Sequence, residues 1–371
     1  MTNKIKIIHV NNTMNIGGIE LFLMNVLRHS NYEKFEIAIL TYRKEIFDLE
    51  AEINKMGIKI YKIDNPANVS PIRHFRQLLA IIKVYKPDVI ISHTYFNSVF
   101  VLLAGLVNGV KIRVSHSHTS MANSSFRMNK VFKYFVSRII INTVATMRLA
   151  CSEEAGVALY KDSSFKIIPN GIEISKFKFK ELYRSQIRKE LEIDNKSTVI
   201  GHIGRFAKPK NHEFLLKVFY EYQLNNSDSF LVLVGDGPEK QYIKTLAKAL
   251  GIDTKVKYLG IRKDIEKILS SMDIFVFPSL YEGLPVSLIE AQANSINILA
   301  SDTISREVKL SDSLCFFSLN EGSKEWAMKL ANIVLIPRNF NDETNIKKYD
   351  VANTTRLLEK VYLGNSLEDC L

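Results

Sequence analysis

The chain has 371 residues, enough for two domains that each bury a core of their own. Hydrophobic residues make up 46% and charged residues 24%, which excludes a disordered chain and an integral membrane protein. Cys151, Cys315 and Cys370 lack metal-ligand spacing and favour a reducing compartment without disulfides. No apolar run reaches the length of a membrane span and no cleavage signal opens the chain, so we expect a cytoplasmic protein.

The first half alternates between strand and helix patterns. Short apolar runs predict strands at Ile5–Val10, Phe35–Leu40, Ile58–Ile63, Asp88–Ser92 and Ile112–Ser115. Helical periodicity falls between these runs, at Ile19–His29, Pro71–Tyr85 and Phe96–Val107. This succession is typical of a parallel sheet covered by helices on both faces.

The net charge of +11 is concentrated in one interval. No acidic residue occurs between Asp88 and Glu153, and the basic residues there include seven at positions 111–148. Within it, an aromatic-rich amphipathic helix at Phe126–Ala145 fits two interpretations. It could lie on an anionic membrane surface, or it could be a core helix whose lysines face solvent. The interval shows no nucleic-acid motif, so we expect no nucleic-acid partner.

The second half repeats the scheme, with strands predicted at Val199–Ile203, Phe230–Val234, Val256–Leu259, Ile274–Phe277 and Ile298–Ala300. We therefore predict an α/β protein with two doubly wound, Rossmann-like domains. The first spans residues 1–170, a linker or hinge spans 171–197, and the second spans 198–345. A terminal helix occupies 346–371. Ligands of such sheets bind at the carboxyl ends of the strands, and we expect a site in the cleft between the two domains.

Two segments of the second half carry charge at those strand ends. Arg205 and Lys210 follow the strand that ends at Ile203, where two cations can neutralise a diphosphate without a metal. A pair of surface cations in a loop is the alternative. Glu282 and Glu290 stand on either side of a strand-to-helix junction, and the free N–H groups of that helix would favour a phosphate.

The segment from Phe275 to Ala291 resembles the E-x7-E motif of glycosyltransferase family 4, whose members are retaining enzymes of the GT-B fold. The resemblance extends to Gly204–Asn211, which is similar to the family's G-R-x-x-x-x-K-N signature, and to Ile168–Glu173, which is similar to its linker entry. It implies that Glu290 holds the ribose of a nucleotide sugar and that Glu282 lies beside the donor sugar. Further donor-binding residues implied by matching motifs are Gly17, Gly18, Gly204, Gly235, Arg262, Gly283 and Leu284.

Four histidines follow or belong to predicted strands of the first half. His93 follows one strand, His116 and His118 follow the next, and His9 lies in the first. By position, the resemblance aligns either His116 or His118 with a family histidine near the sugar or the acceptor. The pair lacks a third ligand at suitable sequence spacing, so we expect no metal site. Together with the absence of Asp-x-Asp, the cations Arg205 and Lys210 predict metal-independent transfer without a cofactor.

The resemblance implies a hexosyltransferase that moves a sugar from a nucleotide diphosphate sugar, with UDP expected, to an acceptor hydroxyl with retention. The basic apolar interval suggests a lipid-linked oligosaccharide acceptor of capsule or exopolysaccharide assembly, met by peripheral contact with the inner membrane face through residues 111–148. Two alternatives are a GT-B sugar-nucleotide epimerase, which would turn over the donor without an acceptor, and a non-catalytic GT-B partner subunit. The segment Ser301–Glu307 lacks the glycines that are usual there in the family.

Overall fold

The computed structural model describes residues 4–118, 128–282, 284–335, 338 and 345–365, with the side chains of 128–131 left aside. The chain divides into two compact units, one formed by 1–171 with 349–371 and the other by 172–348. Several residues of the sequence analysis lie outside the described part, namely Phe126, Arg127, Gly283 and Cys370. In the described part, no helix is long and apolar enough to cross a membrane.

A parallel sheet forms the centre of the first unit, with strand order β3-β2-β1-β4-β5-β6-β7 among the described residues. Its strands are β1 (Ile5–Asn11), β2 (Phe35–Thr41), β3 (Lys59–Lys62), β4 (Val89–Ser92), β5 (Ile112–Ser117), β6 (Met147–Ala150) and β7 (Lys166–Ile167). The order reverses between β1 and β4, which pair directly through Ile7 and Val89. This reversal opens a crevice at the carboxyl ends of the two strands.

Helices connect these strands and bury their apolar faces against the sheet. They are α1 (Gly18–His29), α2 (Glu50–Lys55), α3 (Pro71–Tyr85), α4 (Ser98–Val107), α5 (Met128–Val144) and α6 (Glu153–Tyr160). The limits of α3 follow from its sequence. Ser70 caps the first turn by accepting a hydrogen bond from the Arg73 N–H, Pro71 occupies the first helical position, and Lys86 ends the helix in the left-handed conformation.

The second unit repeats the architecture with strand order β10-β9-β8-β11-β12-β13 among the described residues. Its strands are β8 (Thr198–Ile203), β9 (Ser229–Val234), β10 (Val256–Gly260), β11 (Ile274–Phe277), β12 (Asn297–Ser301) and β13 (Leu314–Phe317). Its helices are α7 (Ile174–Phe177), α8 (Glu181–Glu190), α9 (His212–Gln223), α10 (Lys240–Ala249), α11 (Ile265–Ser271), α12 (Val286–Ala293) and α13 (Gly322–Ala331). All strand pairs are parallel.

The terminal helix α14 (Val351–Tyr362) belongs to the first unit. Asp350 caps it by accepting a hydrogen bond from the Ala352 N–H at 2.8 Å. Leu358, Val361 and Tyr362 are buried in the same core cluster as β1 and α1. The helix thus completes the core of the first unit with residues from the far end of the chain.

The predicted fold class, two parallel α/β units, is confirmed. The sequence analysis missed β6, β7 and β13, which are only two to four residues long. Residues 171–197, assigned above to a linker, contain α7 and α8 within the second unit. Arg188 of α8 is buried there and pairs with Asp273 at 2.7 Å. The linker assignment rested on the polar and charged composition of this stretch, and composition alone does not reveal that an arginine is buried.

Candidate donor site and histidine cluster

Three loops meet at the carboxyl edge of the second sheet and are joined by hydrogen bonds to backbone carbonyls. The Leu280 N–H after β11 donates to the Pro209 carbonyl after β8 at 2.8 Å. The Asn211 amide donates to the Pro278 carbonyl at 3.1 Å, and the Thr303 hydroxyl after β12 donates to the Ser279 carbonyl at 2.8 Å. The predicted cationic loop and the predicted acidic loop are therefore one connected surface.

On this surface Lys210 and Glu282 form an ion pair, with Nζ and Oε1 2.7 Å apart. Both side chains are largely shielded from water, at 19% and 14% exposure, so the pair is stronger than an open surface bridge. The Lys210 ammonium also lies 4.7 Å from the Phe277 ring centroid. Gly204 makes room for the lysine stem, because a Cβ at that position would lie 3.1 Å from Lys210 Cδ.

The two predicted arginines have different surroundings. Arg205 is exposed in the loop after β8. Arg262 is held between Glu190 of α8 and Asp264, with 2.7 Å to Asp264 Oδ2, and these hydrogen bonds hold its pKa above the usual range. Arg262 therefore braces the loop after β10, while Arg205 is the cation that can reorient toward a ligand.

Gly235, after β9, has a φ of +133° that side-chain-bearing residues rarely adopt. A Cβ there would lie 2.1 Å from the Gly204 carbonyl oxygen. The turns after β8 and β9 are consequently in direct backbone contact, and Gly235 acts by allowing that contact.

Leu284 and Glu290 frame helix α12. Leu284 is buried before the helix, which begins at Val286, and its neighbour Gly283 lies outside the described residues. Burial raises the pKa of the Glu290 carboxyl from 4.5 to about 7; the Lys176 charge opposes this shift and the Glu266 charge adds to it. A carboxyl held in this state gains from new hydrogen bonds to its ionised form, which sugar hydroxyls can donate.

Sequence reasoning missed Lys176 and Glu266. Lys176 Nζ of α7 lies 3.5 Å from Glu266 Oε2 of α11, and Glu266 is 8% exposed. The signal for Glu266 is its position three residues before the buried Leu269, which places it on the inner face of α11. Lys176 gives no such signal, because it lies in a short, largely polar stretch.

In the first unit, Gly17 and Gly18 begin α1 as predicted, Gly17 as its N-cap. A Cβ on Gly17 would lie 2.5 Å from a carboxylate oxygen of Glu20, whereas Gly18 has open space around it. Glu20 accepts a hydrogen bond from the Asn11 amide at 3.0 Å, and burial raises the pKa of its carboxyl. Glu20 is thus a semi-buried acid at this turn, beyond the role that the sequence analysis gave to the glycines.

The predicted histidines come together at the carboxyl edge of the first sheet. The rings of His116 and His118 have centroids 4.0 Å apart, and one potential ligand atom from each of His93, His116 and His118 lies within 4.8 Å of the others. His93 thus supplies the third neighbour that sequence spacing did not reveal, because it arrives from the adjacent strand β4. The argument against a metal that rested on the missing third ligand is therefore wrong.

A series of hydrogen bonds runs through this cluster from Tyr362 of α14 to Asn170, three residues after β7. His9 Nε2 lies 2.9 Å from the Tyr362 hydroxyl, and His9 Nδ1 lies 3.0 Å from His93 Nε2. His93 Nδ1 lies 2.9 Å from His118 Nε2, and His118 Nδ1 lies 2.9 Å from the Asn170 side-chain oxygen. Burial lowers the pKa of His9 to about 3 and that of His118 to about 4, so these hydrogen-bonded histidines are neutral at physiological pH.

His116 stands apart from the chain. It is fully buried, and neither ring nitrogen makes a hydrogen bond of good geometry, although the Ile168 backbone lies near the ring. Burial holds its pKa well below the usual range, and the charge of His118 acts in the same direction. His118 is the less buried of the two, and both of its ring nitrogens take part in the hydrogen bonds described above.

Comparison with known proteins identifies the family to which the chain belongs. A family model for glycosyl transferases group 1 matches residues 184–312, and one for glycosyltransferase family 4 matches residues 16–176. EpsF of Bacillus subtilis (strain 168), named as a glycosyltransferase, is 32% identical over 96% of each chain. The capsular polysaccharide biosynthesis glycosyltransferase CapH of Staphylococcus aureus is 28% identical over 98% of this chain and 100% of its own.

Among solved structures, Anabaena HepE in complex with UDP and glucose aligns with a TM-score of 0.77. The alignment covers 96% of this chain and 98% of HepE at 18% identity, so it bears on the fold alone. Two parallel-sheet units and these relatives define a glycosyltransferase of the GT-B fold, as predicted. The chain belongs to glycosyltransferase family 4.

Proposed function

We propose that this enzyme transfers a sugar from a UDP-sugar to an acceptor hydroxyl with retention of anomeric configuration and without a metal at the diphosphate. The observation that carries the proposal is the shielded Lys210–Glu282 pair beside helix α12. HepE, which shares the fold, was solved with UDP and glucose, and this supports UDP as the nucleotide of the donor. CapH supports a polysaccharide as the pathway product.

Each donor-site residue has a role that its surroundings allow. Lys210 and the exposed Arg205 neutralise the departing diphosphate, assisted by the free N–H groups at the start of α12. Glu282, held by Lys210, faces the donor sugar. Glu290 accepts hydrogen bonds from the ribose hydroxyls, which replace the water that its carboxyl lacks.

The reaction breaks the bond between the anomeric carbon and the diphosphate oxygen and forms a bond from the same carbon to the acceptor oxygen. Both oxygens lie on one face of the sugar, so the configuration is retained. The departing phosphate oxygen takes the acceptor proton, and no carboxylate nucleophile is needed. The cations therefore matter most in the transition state, where negative charge builds on the diphosphate.

A lipid-linked acceptor at an anionic membrane fits the exposed face of α5. Phe132, Phe135 and Ile139 are spaced i, i+3 and i+7 and are 75%, 53% and 50% exposed. Lys133 is exposed on the same helix, and no acidic residue occurs between 88 and 153. Burying three such side chains contributes roughly 3–6 kcal/mol before the cost of ordering, enough for peripheral attachment together with charge.

Some arginines of the basic interval bind the protein's own backbone, so fewer of its residues can contact a membrane. Arg113 donates to the carbonyls of Val110 and Val144, and Arg138 donates to the carbonyls of Ala158 and Leu159. These arginines still contribute positive charge, but their guanidinium groups are fixed. Membrane contact within residues 111–148 is therefore assigned to the α5 stripe of Phe132, Lys133, Phe135 and Ile139.

The donor assignment is tested by the thermal midpoint with a panel of nucleoside diphosphates and nucleotide sugars, with and without EDTA. We expect a UDP-dependent shift of several degrees that EDTA leaves unchanged. Lys210→Ala should lose most of that shift. Lys217→Ala is the matched control, because Lys217 also pairs with a glutamate at 2.7 Å but in an exposed position on α9.

The outcomes separate the alternative functions. Turnover of the donor without any acceptor would indicate an epimerase, and no shift with any nucleotide would indicate a non-catalytic subunit. A shift that EDTA abolishes would overturn metal-free donor binding. The lipid acceptor is tested separately by sedimentation with anionic and neutral liposomes at low salt.

In the liposome assay, replacing Phe132, Phe135 and Ile139 together by serine should abolish binding to anionic liposomes. The control replaces Ile72 and Val84 of α3, which are 67% and 73% exposed, and should bind as the native protein does. Equal loss in both variants, or no binding by the native protein, would remove the membrane from the proposal.

A further inference from the structure

We infer that His93, His116 and His118 form a binding site for a divalent transition metal of the zinc class in the first unit. One potential ligand nitrogen from each histidine lies within 4.8 Å of the others. Three imidazoles are a common zinc ligand set, and such sites leave a fourth position for water or another ligand. None of these three histidines is assigned to the donor diphosphate, so the inference does not depend on the proposed function.

His116 is the observation that points to a ligand. Its side chain is fully buried, and neither ring nitrogen makes a hydrogen bond of good geometry, although the Ile168 backbone lies near the ring. Leaving a buried polar group without a good hydrogen bond is costly, and a metal–nitrogen bond would give one of these nitrogens a partner. Phe22 packs on all three rings, with centroids 5.0 to 6.0 Å away, and supplies the apolar shell that surrounds many metal sites.

The hydrogen-bond chain supplies the outer groups that hold metal-bound histidines in place. His118 Nδ1–H donates to the Asn170 oxygen, so His118 Nε2 carries the lone pair that faces His93 and accepts its hydrogen bond. His93 presents Nδ1 to the same point, 2.9 Å from His118 Nε2. Tetrahedral zinc with bonds of about 2.0–2.1 Å needs nitrogens about 3.3 Å apart, so the two rings must separate by only a few tenths of an ångström.

The ring protons can be placed so that the histidines stay neutral both without and with a bound metal. Without metal, the Asn170 oxygen fixes the direction of donation, from Tyr362 through His9 and His93 to His118. When a metal takes His93 Nδ1, the ring carries its proton on Nε2 and donates it to His9 Nδ1. His9 then donates from Nε2 to the Tyr362 oxygen. All three rings of the chain stay neutral and no proton leaves it.

The test is direct metal titration of untagged protein after chelator treatment. Zinc is measured by competition with a chromophoric chelator, and cobalt by its visible absorption. We expect one equivalent per chain, a thermal midpoint that rises with zinc, and a loss of affinity of about 100-fold or more in His116→Gln. Tyr362→Phe removes the last acceptor of the chain and should weaken zinc by about 10-fold.

His29→Gln is the control, because His29 is an exposed histidine of α1 whose ring contacts only the Asn25 carbonyl among the hydrogen bonds described. It should bind zinc as the native chain does. Circular dichroism checks the fold of each variant, and His93→Gln serves if His116→Gln does not fold. Native protein without one equivalent of tight metal, or folded His116→Gln with unchanged affinity, would overturn the site.

Discussion

The Glu290 carboxyl makes the stability of the second unit depend on pH in a direction that can be worked out. Its pKa is raised from 4.5 to about 7 in the folded chain, mainly by burial. Between these values the unfolded chain loses the proton first and the folded chain retains it. The free energy of unfolding therefore falls as pH rises from about 4.5 to 7 and stays lower above that range.

The magnitude follows from the size of the shift. A change from 4.5 to about 7, at 1.36 kcal/mol per pKa unit, corresponds to roughly 3 kcal/mol as an upper value. Because the side chain keeps some exposed surface, we expect about 2 kcal/mol after solvent screening. Glu290→Gln keeps the shape and removes the titration. Relative to the native protein, the variant should thus gain about 2 kcal/mol between roughly pH 5 and pH 8.

Urea unfolding at both pH values measures this gain. Trp326 is the only tryptophan of the chain and is buried in the core of the second unit, so its fluorescence reports on the unit that contains Glu290. Glu213→Gln is the control: a hydrogen bond from Lys217 lowers the pKa of Glu213, so its loss should not stabilise the protein at the higher pH. A stability difference for Glu290→Gln that is equal at both pH values would refute the reasoning.

Two further predictions concern buried groups of the second unit. Arg188→Met should destabilise the unit by about 3–5 kcal/mol in urea, because it leaves Asp273 and four backbone carbonyls without that guanidinium; a loss below about 1 kcal/mol would contradict this. Gly235→Ala should lower the thermal midpoint more than Gly251→Ala does. Both glycines have positive φ, but of the two only Gly235 would bring a Cβ into collision with backbone, at Gly204. Equal decreases in the thermal midpoint would show that this collision does not matter.

The sequence was sufficient where one local rule determines the structure. Proline at the first turn and a polar cap fixed α3 at Pro71–Tyr85, and the apolar run Ile274–Phe277 became β11 with the same bounds. Strand ends also placed Lys210 and Glu282 on the same edge of a sheet, because parallel strands bring their carboxyl ends together. These inferences need only neighbouring residues and the direction of a strand.

Features that depend on side chains from distant elements were not predictable in this way. Lys176 and Glu266 approach Glu290 from α7 and α11, and no sequence spacing links the three. His93 joins His116 and His118 from another strand. The strands β6, β7 and β13 were missed because they are only two to four residues long, and pairing with a neighbouring strand decides their conformation.

The backbone contact between the turns after β8 and β9 has a consequence for engineering. Gly235 lies against the Gly204 carbonyl, and a Cβ on Gly237 would lie 2.4 Å from the Phe206 carbonyl oxygen. Neither turn can therefore change its path without displacing the other. Chimeras that exchange the segment around Gly204–Asn211 with a relative should fold only when the turn at Gly235–Gly237 is exchanged with it. The two segments therefore have to be recombined as one unit.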